Sequence, residues 1–261
     1  TMVHHHSYVI GGNSNYEYCG DADKLNDRLS DNTCETCNTY NMLKLTRHLN
    51  AWNPSSTYID YYERALYNHI LASQNPENGM MCYFVPLRMG TQKTFSDEYN
   101  TFTCCVGSGM ENHAKYTEGI YSEGADGSLY VNLFIPSILK WKSKKINIIQ
   151  ETSYPESDKI IFTFQSSKPK SFTIRIRKPW WARNGYSLKI NNALLDQATE
   201  SNGFITIQRK WNEGDKLELS LPMSIYSESM PDNKDRISFL YGPIVLAGRL
   251  GDTMPNPVYG V

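Results

Sequence analysis

The chain has 261 residues, a length that fits one large domain or two ordinary ones. Its formal net charge of -1 at pH 7 excludes the basic field that proteins use to bind nucleic acid or an anionic membrane surface. A hydrophobic fraction of 40% is typical of a globular protein, and no apolar run approaches the roughly 18 to 20 residues that span a bilayer.

The first half of the chain predicts helices and loops. Residues 11–15 (GGNSN) form a loop by composition. The polar run from Ser30 to Thr33 supplies N-cap candidates for a helix with Glu35 in its first turn. Apolar side chains at helical spacing then predict helices over 36–50, 56–73 and 107–121, with a short extended run over 80–87.

From Gly127 onward the pattern changes to short β-rich runs separated by turn signals such as Asn202-Gly203. The predicted strands lie at 128–135, 146–149, 159–164, 171–176, 187–190, 204–208, 216–221, 237–240 and 244–246. Such spacing is typical of a β-sandwich or jelly roll. We therefore predict a mixed α and β class with three parts: helical residues 1–122, a β-sandwich over 123–228, and the start of a further, truncated β domain over 229–261.

The helical part is too small to close on itself. Two or three helices expose an apolar face that another layer must cover. The chain also opens abruptly before Tyr8, so we expect helices upstream of residue 1, and we expect that the chain also continues beyond Val261. The alternative is a small helical cap on the β-sandwich.

The six cysteines, at positions 19, 34, 37, 82, 104 and 105, all lie in the first 105 residues. A secreted disulfide framework spreads its cysteines through a small domain, so this clustering favours metal or thiolate chemistry. Glu35-Thr36-Cys37 and Cys104-Cys105 together offer three thiolates and a carboxylate, a donor set that suits Zn²⁺. Redox-active or disulfide-bonded cysteines and inert buried thiols remain the alternatives.

Two geometric expectations follow from that pairing. Residues two apart do not share a helix face, so Glu35 and Cys37 must lie at an irregular helix start. Cys104-Cys105 likewise needs a non-helical turn, which the glycines at 107 and 109 can supply. Cys34 and Cys82 are interpreted as ordinary buried thiols, and no feature singles out Cys19.

Glu17 lies in the loop Asn15-Tyr16-Glu17-Tyr18-Cys19-Gly20, between two aromatic rings. A single glutamate is usually a solvated surface residue. Aromatic neighbours would disfavour its charged form, so we expect a raised pKa and a role as a general acid.

Four segments resemble the β-L-arabinofuranosidase-like proteins of glycoside hydrolase families 127 and 146, formerly a domain-of-unknown-function group. The segments are 9–15 (VIGGNSN), 29–45 (LSDNTCETCNTYNMLKL), 83–87 (YFVPL) and 102–105 (FTCC). The Glu-x-Cys and Cys-Cys motifs are the most diagnostic. The family fold is an (α/α)₆ barrel followed by β-sandwich domains, so the resemblance implies that this chain supplies the C-terminal part of the barrel, one sandwich and the start of a second β domain.

The resemblance also implies a zinc site and a catalytic pair. Glu35, Cys37, Cys104 and Cys105 would bind Zn²⁺, with Cys104 also the nucleophile. Glu17 would be the acid/base, and Tyr83 would contact the sugar. A histidine before the Gly-Gly loop would reach the substrate; His6 is the expected residue and His5 the alternative.

The activity so implied is that of a retaining exo-glycosidase that releases β-linked L-arabinofuranose from plant glycans, with an arabinose-containing glycan as its partner. The alternatives are a glycosidase of the same fold with another sugar specificity, and a non-catalytic carbohydrate-binding or structural protein braced by zinc. Family habit implies export to the periplasm or the exterior of a bacterium, although residues 1–7 carry no signal-peptide pattern. Because half a barrel cannot enclose a furanose, we expect little turnover from this chain alone. The sequence leaves the oligomeric state open.

Overall fold

A computed structural model describes residues 1–196 and 198–249 of the chain. These residues divide into two compact units, of which the first comprises 1–48, 61–115 and 225–249, and the second comprises 49–60 and 116–224. Helices and several sheets are both present, which confirms the mixed α and β class. The barrel, the sandwich and the three predicted domain ranges stay predictions, and residues 250–261 lie outside the described part.

The helices of the described residues are few and mostly short. They are α1 (Met2–His5), α2 (Thr36–Trp52), α3 (Ser56–Ala65) and α4 (Cys104–Ala114). A π-helical turn (Leu66–Ile70) and a 3₁₀ turn (Leu71–Ser73) continue α3, and two further 3₁₀ turns cover Asn26–Arg28 and Tyr116–Gly119. Within the described residues, no helix combines the length and apolarity needed to cross a bilayer.

The structure confirms two predicted helices and corrects the third. The helices expected over 36–50 and 56–73 are present. The third begins at Cys104 instead of residue 107, and Tyr121 begins a strand instead of ending a helix. The expected caps for α2 are also wrong: the polar run 30–33 forms a turn of its own, in which the Thr33 hydroxyl donates to the Ser30 carbonyl at 2.7 Å.

The first unit has a core that includes Cys34, the residue directly before the Glu-x-Cys motif. Its buried members are Tyr8, Ile10, Leu25, Cys34, Cys82 and Val85. Cys34 and Cys82 are completely buried, which confirms their interpretation as core thiols. Because burial disfavours a thiolate, it raises the pKa of Cys82 to about 11.

Gly11 and Gly12 bring their loop into direct contact with this core. Gly11 has a φ of +85°, and a Cβ there would lie 2.8 Å from the Cα of Ala65. A Cβ on Gly12 would lie 2.6 Å from His69 Nδ1 and 2.7 Å from Cys34 Cβ. Only glycine permits this approach of backbone to neighbouring side chains.

A three-stranded sheet near the C-terminal end belongs to the same unit. It comprises β12 (Ile225–Ser229), β13 (Ile237–Tyr241) and β14 (Ile244–Val245), paired antiparallel in that order. Arg64 forms a bidentate ion pair with Glu228, with distances of 2.6 and 2.7 Å. The Asn68 amide donates to the Pro243 carbonyl at 2.9 Å, so the sheet is joined to the segment that follows α3.

The second unit contains two larger sheets. The five-stranded sheet has the order β1-β2-β6-β10-β9, and the six-stranded sheet has the order β3-β4-β5-β11-β7-β8. β2 and β6 pair in parallel and the remaining neighbours antiparallel. The strands are β1 (Tyr121–Glu123), β2 (Leu129–Val131), β3 (Ser137–Trp141), β4 (Ile146–Thr152), β5 (Lys159–Gln165), β6 (Lys170–Arg177), β7 (Ser187–Ile190), β8 (Ala193–Leu194), β9 (Thr199–Ser201), β10 (Phe204–Trp211) and β11 (Lys216–Ser220).

Alternating burial along these strands places aromatic rings in the core of the second unit. The rings of Phe164 and Trp211, from different sheets, stack with centroids 4.0 Å apart. Arg177 is completely buried in the same unit, where it donates to Asp60 at 2.8 Å and to the Asn132 carbonyl at 2.7 Å. These bonds satisfy a charge that would otherwise be costly to bury.

The substitution Gly12→Ala is expected to destabilise the protein by about 1–3 kcal/mol, because the new methyl group overlaps two completely buried side chains. Urea unfolding measures this change. Gly107→Ala is the matched control: its Cβ meets nothing within 4 Å, and alanine is the better helix former by about 0.5–1 kcal/mol. Equal stability of the two variants would contradict the packing argument.

The free energy of unfolding is expected to decrease as the pH is lowered, because of the buried His69 imidazole. Burial lowers the pKa of this imidazole from 6.5 to about 3, so between those values the unfolded chain binds a proton that the folded chain does not. The free energy of unfolding therefore falls by about 1.4 kcal/mol per pH unit below 6.5, and the contribution is fully present above it. Urea unfolding from pH 7 to pH 4 should show a shallower slope for His69→Gln; equal slopes would contradict the assignment.

Candidate active site

Glu35 and Cys37 lie where an extended segment turns into α2. Glu35 pairs antiparallel with Phe84 in an isolated bridge, and the Thr36 amide donates to the Tyr83 carbonyl at 3.0 Å. Cys37 follows in the first turn of the helix. This is the irregular helix start that the spacing of the two residues requires.

Cys104 and Cys105 are the first two residues of α4, so the expected non-helical turn is wrong. Thr103, in an extended conformation with φ -86° and ψ 159°, precedes them as the N-cap. No earlier helical turn covers residues at this position, so both sulfur atoms can approach one point. The first turn of a helix also carries partial positive charge, which favours anionic sulfur.

The ligand atoms of Glu35, Cys37, Cys104 and Cys105 all lie within 4.8 Å of one another. The two sulfur atoms of the vicinal pair are 3.9 Å apart, and each lies 3.8 Å from Glu35 Oε1. A tetrahedral zinc ion with Zn–S near 2.3 Å and Zn–O near 2.1 Å would separate its ligands by about 3.5–3.8 Å. The separations among Glu35, Cys104 and Cys105 match this spacing, and the four donors together have the chemistry that zinc prefers.

Burial makes this cluster unfavourable as a set of anions. It is the main cause that raises the pKa of Cys37 and Cys105, and it raises the pKa of Glu35 with help from the nearby Glu17 charge. Without a cation, the Cys37 and Cys105 thiols therefore favour their protonated forms. A divalent cation among them would reverse this preference by stabilising the charged forms.

Ser108 is a neighbour of the cluster that the sequence analysis missed. Its hydroxyl oxygen lies 3.1 Å from Cys37 Sγ. It is three residues after Cys105 and so lies on the same helix face. That spacing is the one signal in the sequence that could have identified it.

Glu17 lies at the tip of a two-residue hairpin. Asn15 and Tyr18 exchange two backbone hydrogen bonds, of 3.0 and 3.1 Å. Between them, Tyr16 and Glu17 have φ values of +50° and +68°. Type I′ turns require positive φ at both central residues, a conformation that is strained for residues other than glycine, asparagine and aspartate.

The expected enclosure of Glu17 between aromatic rings is wrong. The side chains of Tyr16 and Tyr18 are 58% and 74% exposed, and Glu17 is itself exposed. The strained turn directs the two rings to solvent. Glu17 is instead distinguished by its partner, the Tyr83 hydroxyl, which donates a hydrogen bond to its carboxylate.

Tyr83 connects Glu17 to the cysteine cluster. Its hydroxyl oxygen lies 3.5 Å from Cys104 Sγ as well as in contact with Glu17. Hydrogen bonds to Cys104 and then to Glu17 raise the pKa of this phenol, since ionisation would remove the proton that its hydroxyl donates. One side chain thus bridges the expected nucleophile and the expected acid.

The expected substrate histidine does not take part in these contacts. His5 pairs with Asp23, at 2.9 Å from Nδ1 to Oδ2. His6 follows α1, and its Nδ1 is buried without a hydrogen-bond partner. Among the described residues, no hydrogen bond joins His6 to Glu17, Tyr83 or the four-donor cluster, so its role stays a prediction.

Two family models match the chain. The model for the β-L-arabinofuranosidase GH127 catalytic domain matches residues 1–118, and the model for the GH127 middle domain matches residues 128–223. Among curated protein sequences, none matches.

Solved structures share the fold. A GH127 β-L-arabinofuranosidase from Geobacillus stearothermophilus is 23% identical with a TM-score of 0.81, over 94% of this chain and 41% of that one. The GH127 β-arabinofuranosidase BT3674 is 24% identical with a TM-score of 0.81, over 94% and 42%. A third, described only as a glycoside hydrolase, is 20% identical with a TM-score of 0.80, over 94% and 45%. The chain thus spans less than half the length of each.

The two domain models match successive parts of the chain, together cover most of the sequence, and place the Glu-x-Cys and Cys-Cys motifs inside the part that matches the catalytic domain. The chain therefore belongs to the GH127 β-L-arabinofuranosidase family of glycoside hydrolases.

Proposed function

We propose that this protein is a retaining exo-glycosidase that hydrolyses β-L-arabinofuranosides of plant glycans, with Cys104 as nucleophile and Glu17 as acid/base. The observation that carries the proposal is the bridge formed by Tyr83, which contacts both groups. The family and its arabinofuranosidase members support the sugar. A zinc that only braced helices would need neither Glu17 nor Tyr83 at the cluster, so the non-catalytic alternative has less support.

Glu35, Cys37, Cys104 and Cys105 would hold the zinc ion of the proposed enzyme. When bound, Zn²⁺ would supply the positive charge that keeps the sulfur atoms deprotonated at neutral pH. Cys104 is the exposed member of the three cysteines, whereas Cys105 is buried and Cys37 lies against Ser108. Accessibility therefore supports Cys104 as the attacking group.

In the first chemical step, Cys104 Sγ forms a bond to the anomeric carbon as the bond from that carbon to the leaving oxygen breaks. Glu17 gives its proton to that oxygen. In the second step, a water molecule attacks the anomeric carbon and transfers a proton to Glu17, and Cys104 departs as a thiolate. Two inversions at the same carbon give net retention of configuration. Tyr83 contacts the sugar and holds the Glu17 carboxylate towards it.

The metal content of the protein tests the donor set. We expect about one zinc ion per chain in the parent protein, because one four-ligand site is present. Cys37→Ala and Cys105→Ala should lose most of it, since each removes a ligand. Elemental analysis of purified protein measures this.

Cys19→Ala is the matched control, since Cys19 is an exposed free thiol outside the cluster. It should retain the zinc of the parent protein. A parent protein without zinc, or a loss of zinc in Cys19→Ala equal to that in Cys37→Ala, would exclude the proposed site.

The catalytic pair is tested by trapping the covalent intermediate in the intact enzyme with Glu17→Gln. An activated aryl β-L-arabinofuranoside needs little acid assistance, so the first step should proceed, whereas the second lacks its base. We expect kcat to fall by about 10²–10⁴-fold and an arabinosyl adduct to accumulate on Cys104. Mass spectrometry of proteolytic peptides locates the adduct.

Glu98→Gln provides the comparison, because Glu98 is an exposed glutamate elsewhere in the same unit. It should turn over at the parental rate without an adduct. An adduct on any residue other than Cys104, or undiminished turnover by Glu17→Gln, would refute the assigned roles.

A further inference from the structure

A cleft with a volume of about 660 Å³ lies beside the candidate active site. That volume falls within the range of roughly 300–1,000 Å³ typical of small-molecule sites. Tyr83 and Thr103, the N-cap of α4, form part of its wall, together with Asp31, Asn32, Thr94 and Phe95. We propose that this cleft is the leaving-group subsite of the enzyme and that it binds a neutral oligosaccharide. The proposal rests on the proposed function and adds the identity of the group that departs.

The position of the cleft follows the geometry that a displacement requires. The nucleophile and the leaving group occupy opposite faces of the anomeric carbon, so the leaving group must lie away from Cys104 and beside the acid. The wall of the cleft includes Tyr83, which bonds to Glu17, and Asn32, whose carbonyl accepts a 3.0 Å hydrogen bond from the Tyr16 amide. The described lining residues include none of the four donor residues. The wall of the cleft is therefore connected to the Glu17 loop through Tyr83 and Asn32 and leaves out the metal-ligand side chains.

The lining matches a hydroxyl-rich ligand. Threonine and serine hydroxyls and the amides of Asn32 and Gln92 offer both donors and acceptors. The rings of Phe84 and Phe95 also line the cleft and present apolar surface for the C–H faces of sugar rings. A few polar groups on a partly apolar wall are what small-ligand sites use to fix orientation.

The charged side chains of the cleft already form an ion pair or a hydrogen bond within the protein, which favours a neutral ligand over a uronic acid or a charged peptide. Asp31 and Arg88 form an ion pair at 2.8 Å. The Lys93 ammonium donates to the Ala72 carbonyl at 2.6 Å. An anionic ligand would have to compete with these contacts, whereas a neutral glycan would not.

The cleft is held in shape by backbone pairing. Phe95 forms an isolated antiparallel bridge with Cys82, and the Ser96 amide donates to the Met81 carbonyl at 2.8 Å. The Asp97 carboxylate accepts the Tyr99 amide at 2.9 Å, which closes the turn towards Thr103. A wall fixed in this way is preorganised, so binding needs little ordering of the loop.

The test compares two β-L-arabinofuranosides that share the sugar and differ in the leaving group, namely p-nitrophenol and a neutral disaccharide. In the intact enzyme, the double variant Gln92→Ala/Thr94→Ala removes two exposed polar side chains from the cleft. We expect the ratio of kcat/KM for the disaccharide glycoside to that for the aryl glycoside to fall about tenfold, as loss of two hydrogen bonds predicts. Gln165→Ala/Thr57→Ala, which makes the same changes at exposed positions outside the cleft, should leave the ratio unchanged.

A second measurement does not depend on catalysis. The free disaccharide should shift the NMR signals of residues 91–96 in the parent chain and should not do so in the cleft variant. If neither glycoside is hydrolysed, the proposed function fails, and disaccharide binding still decides whether the cleft is a glycan site. An unchanged ratio in the cleft variant, an absence of disaccharide binding, or a preference for a uronate or peptide leaving group would overturn the inference.

Discussion

The ligand atoms of four ionisable groups, from two distant parts of the chain, lie within 4.8 Å of one another, and the other residues of the site surround this cluster. Charges this close disfavour one another without a cation, and burial adds to this cost for Glu35, Cys37 and Cys105. The same closeness is what a tetrahedral metal ion needs. One interaction, attraction between a divalent cation and these donors, would therefore order the starts of α2 and α4 together and make a sulfur nucleophile available.

Adjacent residues on either side of the cluster supply the core and the site, because the local backbone sends neighbouring side chains in different directions. Successive side chains of an extended segment point in opposite directions. Cys82 therefore enters the core while its neighbour Tyr83 reaches the site, whereas Cys34, with a φ of +59°, enters the core through a left-handed backbone conformation just before Glu35. The bridge between Glu35 and Phe84 sets the register of the two segments. A shift of this pairing by one residue would move the catalytic side chains into the core and the core thiols into the site. The packing of the core therefore also maintains the positions of the catalytic side chains.

The loop that carries Glu17 is held from several sides. Gly11 and Gly12 fit against Ala65, Cys34 and His69, and further along the loop Asp232 accepts the Leu25 amide at 2.9 Å. Between these anchors, two consecutive residues with positive φ present Glu17 to the Tyr83 hydroxyl. Each such residue is strained by about 1 kcal/mol or more, and strain of this kind is typical of functional sites whose surroundings enforce it. The placement of the acid is thus a property of the whole unit.

Local sequence patterns predicted the mixed α and β class, the central strands and the four residues of the donor cluster. Alternating hydrophobicity identified strands such as β5 and β10, which are paired on both sides, and cysteine clustering identified Glu35, Cys37, Cys104 and Cys105. The five strands it missed, β1, β3, β8, β9 and β12, all lie at sheet edges, where only one neighbour buries the strand and the alternating pattern fades. Three features of the site could be seen only in the folded chain: Cys104 begins a helix, Glu17 occupies a turn without glycine, and a cleft opens beside Tyr83. Each of these features depends on contacts between residues far apart in the chain, such as Glu35 with Phe84 and Tyr83 with Glu17. Local conformational propensity cannot predict such contacts.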